Sequence, residues 1–549
     1  MPLDFLRLSQ RHTGEYLAKT VALVADKFGI QDWICGLVSN NAKNNKVMVK
    51  ELKKLKWTRF RGETHWIRCF AHILNLIVQA ILRPFGTQKR KKSANGSANS
   101  ADFDSDESQF EDGDAEEQIQ VFSRTGGDHS TSLLDGDSDE HSELQSLPGQ
   151  DDDENDSLTE ADIGQASEED KGDYYTTNTC KLTLAKFRQI AKKLRYSPNS
   201  KAEFIDICQE KECHTPHNVE RDVRTRWNST FYQMKSIIWC EAAVLEWQRH
   251  KQHGLERKHH VDQSDIKLAS DLVNVLGIFH DLTLQVSNAG SARLSNIVIY
   301  IDQITKHLLT IISDQKYPPA LRNACRHGLK ITNKYYSLTD TSPLYRIAIL
   351  MHPSFKDEYF KLAKWEPEWI AKAIRLAREM WDSFYKLKKP THCLTAPAST
   401  SKPRNNMLAG LGDAAAARSG NCSTDAFDDW LAGGLILDGN KPVNPIKWWL
   451  HQKSSGSMDG GLINMALDIL SCTATSVDVE IAFSFDQDYI SLKRHRLGAH
   501  SISRGMTVAF YSKNNMIEEG VLASWKEQIL DSNKTSKKSK RKTIVVDDD

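Results

Sequence analysis

Between residues 3 and 85 the chain mixes two hydrophobic patterns. Ile34-Cys35-Gly36-Leu37-Val38 is a short unbroken apolar run, the pattern of a strand buried on both faces. Val47, Val49, Leu52 and Leu55 then recur at mixed spacings of two and three within a helical stretch. Trp66-Ile67-Arg68-Cys69 predicts a second strand, and Ile73, Leu74, Ile77, Ile81 and Leu82 predict a helix that Pro84 and Gly86 stop. From Thr183 to Leu387 the period is helical throughout. Ile297, Ile301, Ile304, Leu308 and Ile311 fall on one face, as do Ile370, Ile374, Ala377, Trp381 and Phe384. Such stripes are the core faces of packed helices.

These patterns divide the chain. Residues 1–86 are an α/β unit, 176–390 a helical domain and 441–524 a last folded piece. Residues 87–175 are an acidic linker, 391–440 a linker rich in Ala, Ser, Gly, Pro and Asn, and 525–549 a basic tail. The acidic linker carries too few large apolar residues to offset its ordering entropy.

Charge sharpens this division. The net charge is zero, with 72 basic and 72 acidic residues. Residues 101–170 hold 25 Asp and Glu against Arg124 alone, which leaves 71 basic and 47 acidic residues elsewhere. A basic body with an acidic insert fits a chain that meets nucleic acid or chromatin. Ten scattered cysteines form no regular framework and predict reduced thiols inside a cell. No apolar run is long enough to span a membrane, and the N-terminal residues lack the apolar centre of a secretion signal. Cys208, Cys213, His214 and His217 cluster within ten residues, but their spacing fits no common zinc finger, so zinc is not expected there.

Four ordered segments resemble the hAT (Ac-like) superfamily of DNA transposases. The first is His12-Thr13-Gly14-Glu15-Tyr16-Leu17-Ala18 followed by Leu37-Val38-Ser39-Asn40-Asn41-Ala42-Lys43-Asn44-Asn45. The second is Cys69-Phe70-Ala71-His72-Ile73-Leu74-Asn75-Leu76, and the third is Arg221-Asp222-Val223-Arg224-Thr225-Arg226-Trp227-Asn228-Ser229-Thr230. The fourth opens at Trp448-Trp449, runs through Met465-Ala466-Leu467-Asp468-Ile469-Leu470, and closes with Ser476-Val477-Asp478-Val479-Glu480-Ile481-Ala482-Phe483-Ser484 and Lys493-Arg494-His495-Arg496-Leu497.

The resemblance implies a fold: a truncated ribonuclease H-like α/β core, interrupted by a long all-α insertion and resumed in a C-terminal dimerisation region. It also implies what cutting DNA would need. Family members hold two Mg²⁺ or Mn²⁺ ions on an Asp-Asp-Glu triad, because hard cations want oxygen ligands and two of them, about 3.5–4 Å apart, activate the attacking oxygen and stabilise the leaving one. The first Asp lies on a strand ahead of the His12 segment, where this chain has only eleven residues. Asn40 stands at the second Asp, and a neutral amide cannot help neutralise two divalent ions. Glu480 matches the third position, as a vestige, with Ile481 in place of the usual following Arg. The expectation is a protein that is not an enzyme and needs no cofactor.

Further roles come from the same resemblance. Arg226 and Trp227 match a pair near DNA hairpin ends, where Trp could stack on a base and Arg hold phosphate; Trp227 could equally begin a core helix. Cys69 and His72 match a pair that supports the core close to DNA. Trp448, Trp449, Met465, Ala466, Ile469, Leu470 and Phe483 are candidates for a dimer interface, since partner surfaces need contiguous apolar area. Lys537, Lys538, Lys540, Arg541 and Lys542 read as a nuclear import signal. No BED-type zinc finger pattern is present for base-specific recognition. The function expected is a transposase-derived, non-catalytic nuclear protein that forms a homodimer and binds DNA, with neither a membrane nor a small-molecule substrate involved. A decayed element without selected function, or an active transposase completed by a missing N-terminal segment, are the alternatives.

Overall fold

The computed structural model describes residues 3–6, 8–85, 182–222, 227–250, 255–287, 293–386, 425–456, 460–477, 479, 498–518, 520–521 and 523–529. The described part is mostly helical.

The first block begins with α1 (Gly14–Phe28), whose first turn is capped by Thr13, its hydroxyl accepting the Tyr16 amide. β1 (Leu37–Ser39) and β2 (Trp66–Arg68) pair in parallel, with Leu37 opposite Trp66 and Ser39 opposite Arg68. Parallel pairing needs a crossover, and α2 (Lys43–Lys54) supplies it. α1 lies on α2 over a small core of Ala18, Met48, Val49, Leu52, Phe60 and Trp66. β1 begins three residues into its expected apolar run and ends one residue past it, while β2 stops one residue short of its own.

α3 (Phe70–Leu82) is buried over most of its circumference: Phe70, Leu74, Ile77, Val78 and Ile81 are all inaccessible to solvent, while Ala71, His72, Asn75 and Gln79 form a half-buried strip. A helix with so wide an apolar face must be covered on most of its sides. Here the surroundings come from the helical body, and each fully buried Leu or Ile contributes about 1.5–3 kcal/mol. That body comprises α4 (Thr183–Tyr196), α5 (Pro198–Glu210), α6 (Trp227–Trp239), α7 (Glu241–Trp247), α8 (Gln263–Ser287), α9 (Ile297–Ser313), α10 (Pro319–Thr339), α11 (Leu344–Leu350), α12 (Glu358–Leu362) and α13 (Pro367–Phe384). α8 and α10 pack directly on α3. The expected stripe on α9 is entirely buried, as are Ala377 and Trp381 of α13. α5, α10 and α13 start with proline in the first turn, where its missing N–H is no loss.

The last block holds α14 (Ala426–Ala432), a short hairpin of β3 (Leu437–Asp438) and β4 (Lys441–Pro442), α15 (Pro445–Ser454), α16 (Leu462–Leu470) and α17 (Ala499–Lys513). One sequence expectation changes here. The linker assigned to 391–440 gives way by Asp425 to a capped helix: the Asp425 carboxylate accepts the Asp428 amide, and Phe427 is fully buried against Trp381. The two short strand pairs are the whole of the sheet structure among the described residues.

One hydrophobic core runs from Ile67 through the helical body to Ala474. Lys356 fastens α14 to it. Its buried ammonium donates to the carbonyls of Trp430 and Gly433, both at 2.7 Å, and lies 4.2 Å from the Trp430 ring centroid. A cation there meets the negative end of the helix. Gly461, just before α16, has φ +96°, and a Cβ on it would stand 2.0 Å from the Tyr385 carbonyl oxygen. Both conditions call for glycine. No helix among the described residues is long and apolar enough to cross a membrane.

Candidate functional site

Asn40 follows β1 directly and precedes α2. Its side-chain oxygen accepts from the Ala42 amide at 3.3 Å and from the Asn45 side-chain amide, so it closes the turn into the helix. Beside it, the Arg68 guanidinium donates to Asn41 Oδ1 at 3.0 Å and stacks 3.9 Å from the Trp66 ring centroid. Among the described residues no three His, Cys, Asp or Glu side chains come together as a metal site. A neutral amide oxygen already holding two N–H donors, with a guanidinium alongside its neighbour, is a poor donor set for a pair of divalent cations. Glu480 lies outside the described residues.

Around this position the first and last blocks are joined. The Phe70 amide, at the start of α3, donates to the Ala474 carbonyl at 2.9 Å, while the Cys69 amide donates to Ser39 at 2.9 Å. Cys69 Sγ accepts from both the amide and the hydroxyl of Ser476, at 3.4 and 3.3 Å. Cys69 is thus a buried joint between the first and last blocks, 2% exposed. His72, one turn on, is half-buried. Nearby, the Cys472 thiol hydrogen-bonds Cys35, which with Arg59 close by brings the Cys35 thiol down to about 7.

Arg59 makes a second joint. It pairs with Asp468 on α16 at 2.8 Å, donates to the Tyr385 hydroxyl, and lies 4.9 Å from the Tyr385 ring centroid. Tyr385 in turn donates to Asp468 at 2.8 Å. Nothing in the local pattern of the chain marks these three as partners.

The third recognisable segment is organised by Asp222. Its carboxylate, with no exposed side-chain surface, pairs with Arg188 of α4 and accepts from the hydroxyls of Ser229 (3.2 Å) and Thr230 (2.6 Å) in the first turn of α6. A carboxylate there satisfies donors at a helix start and meets the positive end of the helix. Trp227 is 4% exposed, edge-on to Phe231 at 6.2 Å, and belongs to the main core. A base cannot reach its ring, so the stacking role gives way to packing. Arg226 lies outside the described residues. Cys208 is buried and hydrogen-bonds Cys240, while His217 faces the Cys213 backbone carbonyl at 3.1 Å.

The candidate dimer residues also turn inward. Met465, Ala466, Ile469 and Leu470 are 0–1% exposed, on the face of α16 that meets α11 and α15. Trp449 is buried and donates to the Met351 carbonyl at 2.8 Å; its ring lies 4.6 Å from Trp430 and 4.8 Å from the half-buried Trp448. The apolar stripe predicted as a partner surface is the chain's own core, because intrachain helices already cover it. Leu450 of α15 (50% exposed) and Val508 of α17 (43%) are among the outward apolar side chains of this region, with Leu437, Val479, Met516 and Val521. Phe483 and the cluster Lys537, Lys538, Lys540, Arg541 and Lys542 lie outside the described residues.

Comparison with known proteins places these features. Residues 176–275 match the model of the ZBED1 RNase-like helical domain, and residues 426–509 match that of the hAT family C-terminal dimerisation region. A Talaromyces stipitatus protein, tpeD, named as a proposed transcriptional regulator, is similar over 351 residues at 24% identity, 61% of this chain and 37% of that protein. The chain therefore spans little more than a third of that relative. With both matched regions in order, the chain is similar to hAT-family, transposase-derived proteins across its helical body and its last block.

Proposed function

We propose that the protein acts in the nucleus as a non-catalytic, self-associating DNA-binding protein whose first block is the remnant of a ribonuclease H-like core. The observation that carries the loss of catalysis is Asn40. It occupies a position where the resemblance calls for a metal-binding Asp, and its oxygen is occupied in the turn into α2. The match to a dimerisation region supports self-association, and the exposed Leu450 rather than the buried Met465 face is the side chain to present to a second copy. The basic body supports DNA binding, and Lys537 to Lys542 support nuclear import. A core closed between the first and last blocks favours a protein kept for its fold over a decayed remnant.

The test is a nicking assay on supercoiled plasmid with Mg²⁺ or Mn²⁺. No cutting above buffer is expected, and cutting that disappears in Glu480→Gln would overturn the non-catalytic reading. Light scattering on the full chain should give a dimer mass that falls toward monomer in Leu450→Glu.

A further inference from the structure

α2 carries a basic face that the fold does not use. From residue 43 to 61 the sequence holds eight Lys and Arg against Glu51 alone. Lys43, Lys46, Lys50 and Lys53 recur at intervals of three and four, so they line one side of the helix, opposite Met48, Val49 and Leu52, which pack inward against α1. All four are exposed, and none forms an ion pair with a carboxylate among the described residues. Lys54 is held by Glu51, and Arg59 by Asp468.

The C-terminal end of this row is shaped. Gly62 has φ +76°, and a Cβ there would stand 2.8 Å from Lys53 Cδ, so the bare glycine lets the aliphatic stem of Lys53 lie across the following loop. Lys56 occupies the left-handed region at φ +55°. Lys53 and Lys56, together with Trp57 and Arg61, line a groove of about 520 Å³ that continues the helix face.

We infer that the Lys43–Lys53 face of α2 and the groove beyond it bind the phosphate backbone of duplex DNA, without reading its sequence. This rests on the DNA-binding reading above and assigns it a surface. The scale fits. Lys43 to Lys54 spans about 16 Å along the helix, at 1.5 Å per residue. One DNA strand places a phosphate every 3.4 Å of rise, so about five phosphates lie along that length. Long, unpaired lysines at roughly one per helical turn can each reach one. The helix face itself offers no carboxylate and no ring, and the groove adds only the half-buried Trp57, which favours the backbone of a duplex over an unpaired strand that would need a row of stacking rings.

The experiment uses the full chain and a labelled 20-base-pair duplex of arbitrary sequence, with affinity measured by fluorescence anisotropy across a salt series. Replacing Lys46, Lys50 and Lys53 together by glutamine should weaken binding and flatten the slope of log K against log salt by about 2.7, at about 0.9 for each phosphate that is no longer neutralised. A control triple, Lys192→Gln, Lys201→Gln and Lys372→Gln, should leave the slope unchanged. Wild-type protein that binds the duplex with a slope insensitive to the α2 triple, or equally sensitive to the control, would overturn this surface while leaving DNA binding intact. No duplex binding by the wild type at low salt would overturn the DNA-binding reading itself. Displacement of DNA by a polyglutamate peptide at equal charge concentration, with equal affinity, would overturn the nucleic-acid assignment in favour of an acidic protein segment.

Discussion

Arg59 and Asp468 meet at 2.8 Å across a separation of 409 residues, with Tyr385 completing the contact from the end of α13. One guanidinium thereby ties the first block, the helical body and the last block together. Asp468 is partly open to solvent, which weakens the pair, but Arg59 is mostly enclosed. Arg59→Ala should therefore lower stability by about 1–3 kcal/mol, since it leaves two acceptors without their donor. A double-mutant cycle with Asp468→Ala in urea unfolding would measure the coupling. A coupling near zero would mean the three parts are held by apolar packing alone.

Gly461→Ala should be more damaging. The substitution meets both a left-handed backbone and a carbonyl oxygen 2.0 Å from the new methyl, so α16 must shift away from Tyr385. A loss of about 3 kcal/mol is expected, and self-association should weaken as α16 moves. Thermal unfolding within error of wild type would refute the close approach.

Asp222→Asn preserves an acceptor for Ser229 and Thr230 but removes the charge facing Arg188. Breaking a buried pair in this way typically costs about 3–5 kcal/mol. Urea unfolding would register it, and a neutral result would mean that solvent reaches the site. Trp227 fluorescence should shift toward a more exposed emission, because the first turn of α6 loosens.

Acid should destabilise the fold through two histidines. Burial pushes His352 down to about 3 and His65 down to about 4. His352 Nδ1 accepts the Ser354 amide at 3.1 Å and its ring stacks on Phe355, so the neutral form is the one the fold holds. Both are neutral in the folded and unfolded chains above about 6.5, where this contribution is fully present. As pH falls from 6.5 toward the folded values, only the unfolded chain takes up the protons, and stability drops by up to about 1.4 kcal/mol per pH unit for each. His352→Asn keeps an acceptor for Ser354 without the titration. The slope of unfolding free energy between pH 6 and 4 should fall by about that amount, and an unchanged slope would show that His352 is not responsible.

How much of this could be read from the residues alone depends on the range of the interaction. The α9 stripe, the two strands and α3 followed from local period, because burial on one face or all faces leaves its mark within one element. The direction in which a stripe faces does not. Met465, Ala466, Ile469 and Leu470 have the same spacing whether α11 or a second molecule covers them, and Trp227 looks alike as a stacking platform or a core residue. The Cys69–Ser476, Arg59–Asp468 and Asp222–Arg188 pairs were invisible for a different reason: single polar residues carry no period, and their partners lie far along the chain. The helix at Ala426–Ala432 was hidden by the Ala- and Ser-rich stretch before it, although Asp425 is an ordinary cap.

The joint between Phe70 and Ala474 also governs how the protein is made. At roughly 5–20 residues per second, a ribosome that has finished Arg59 needs about 20–80 s more to deliver Asp468. For all that time the wide apolar face of α3 waits for its covering helices, and the seam from Cys69 to Ser476 stays open. The nascent chain must therefore be shielded from aggregation during elongation, and release from the shielding factor should follow completion of α16 rather than of the first block.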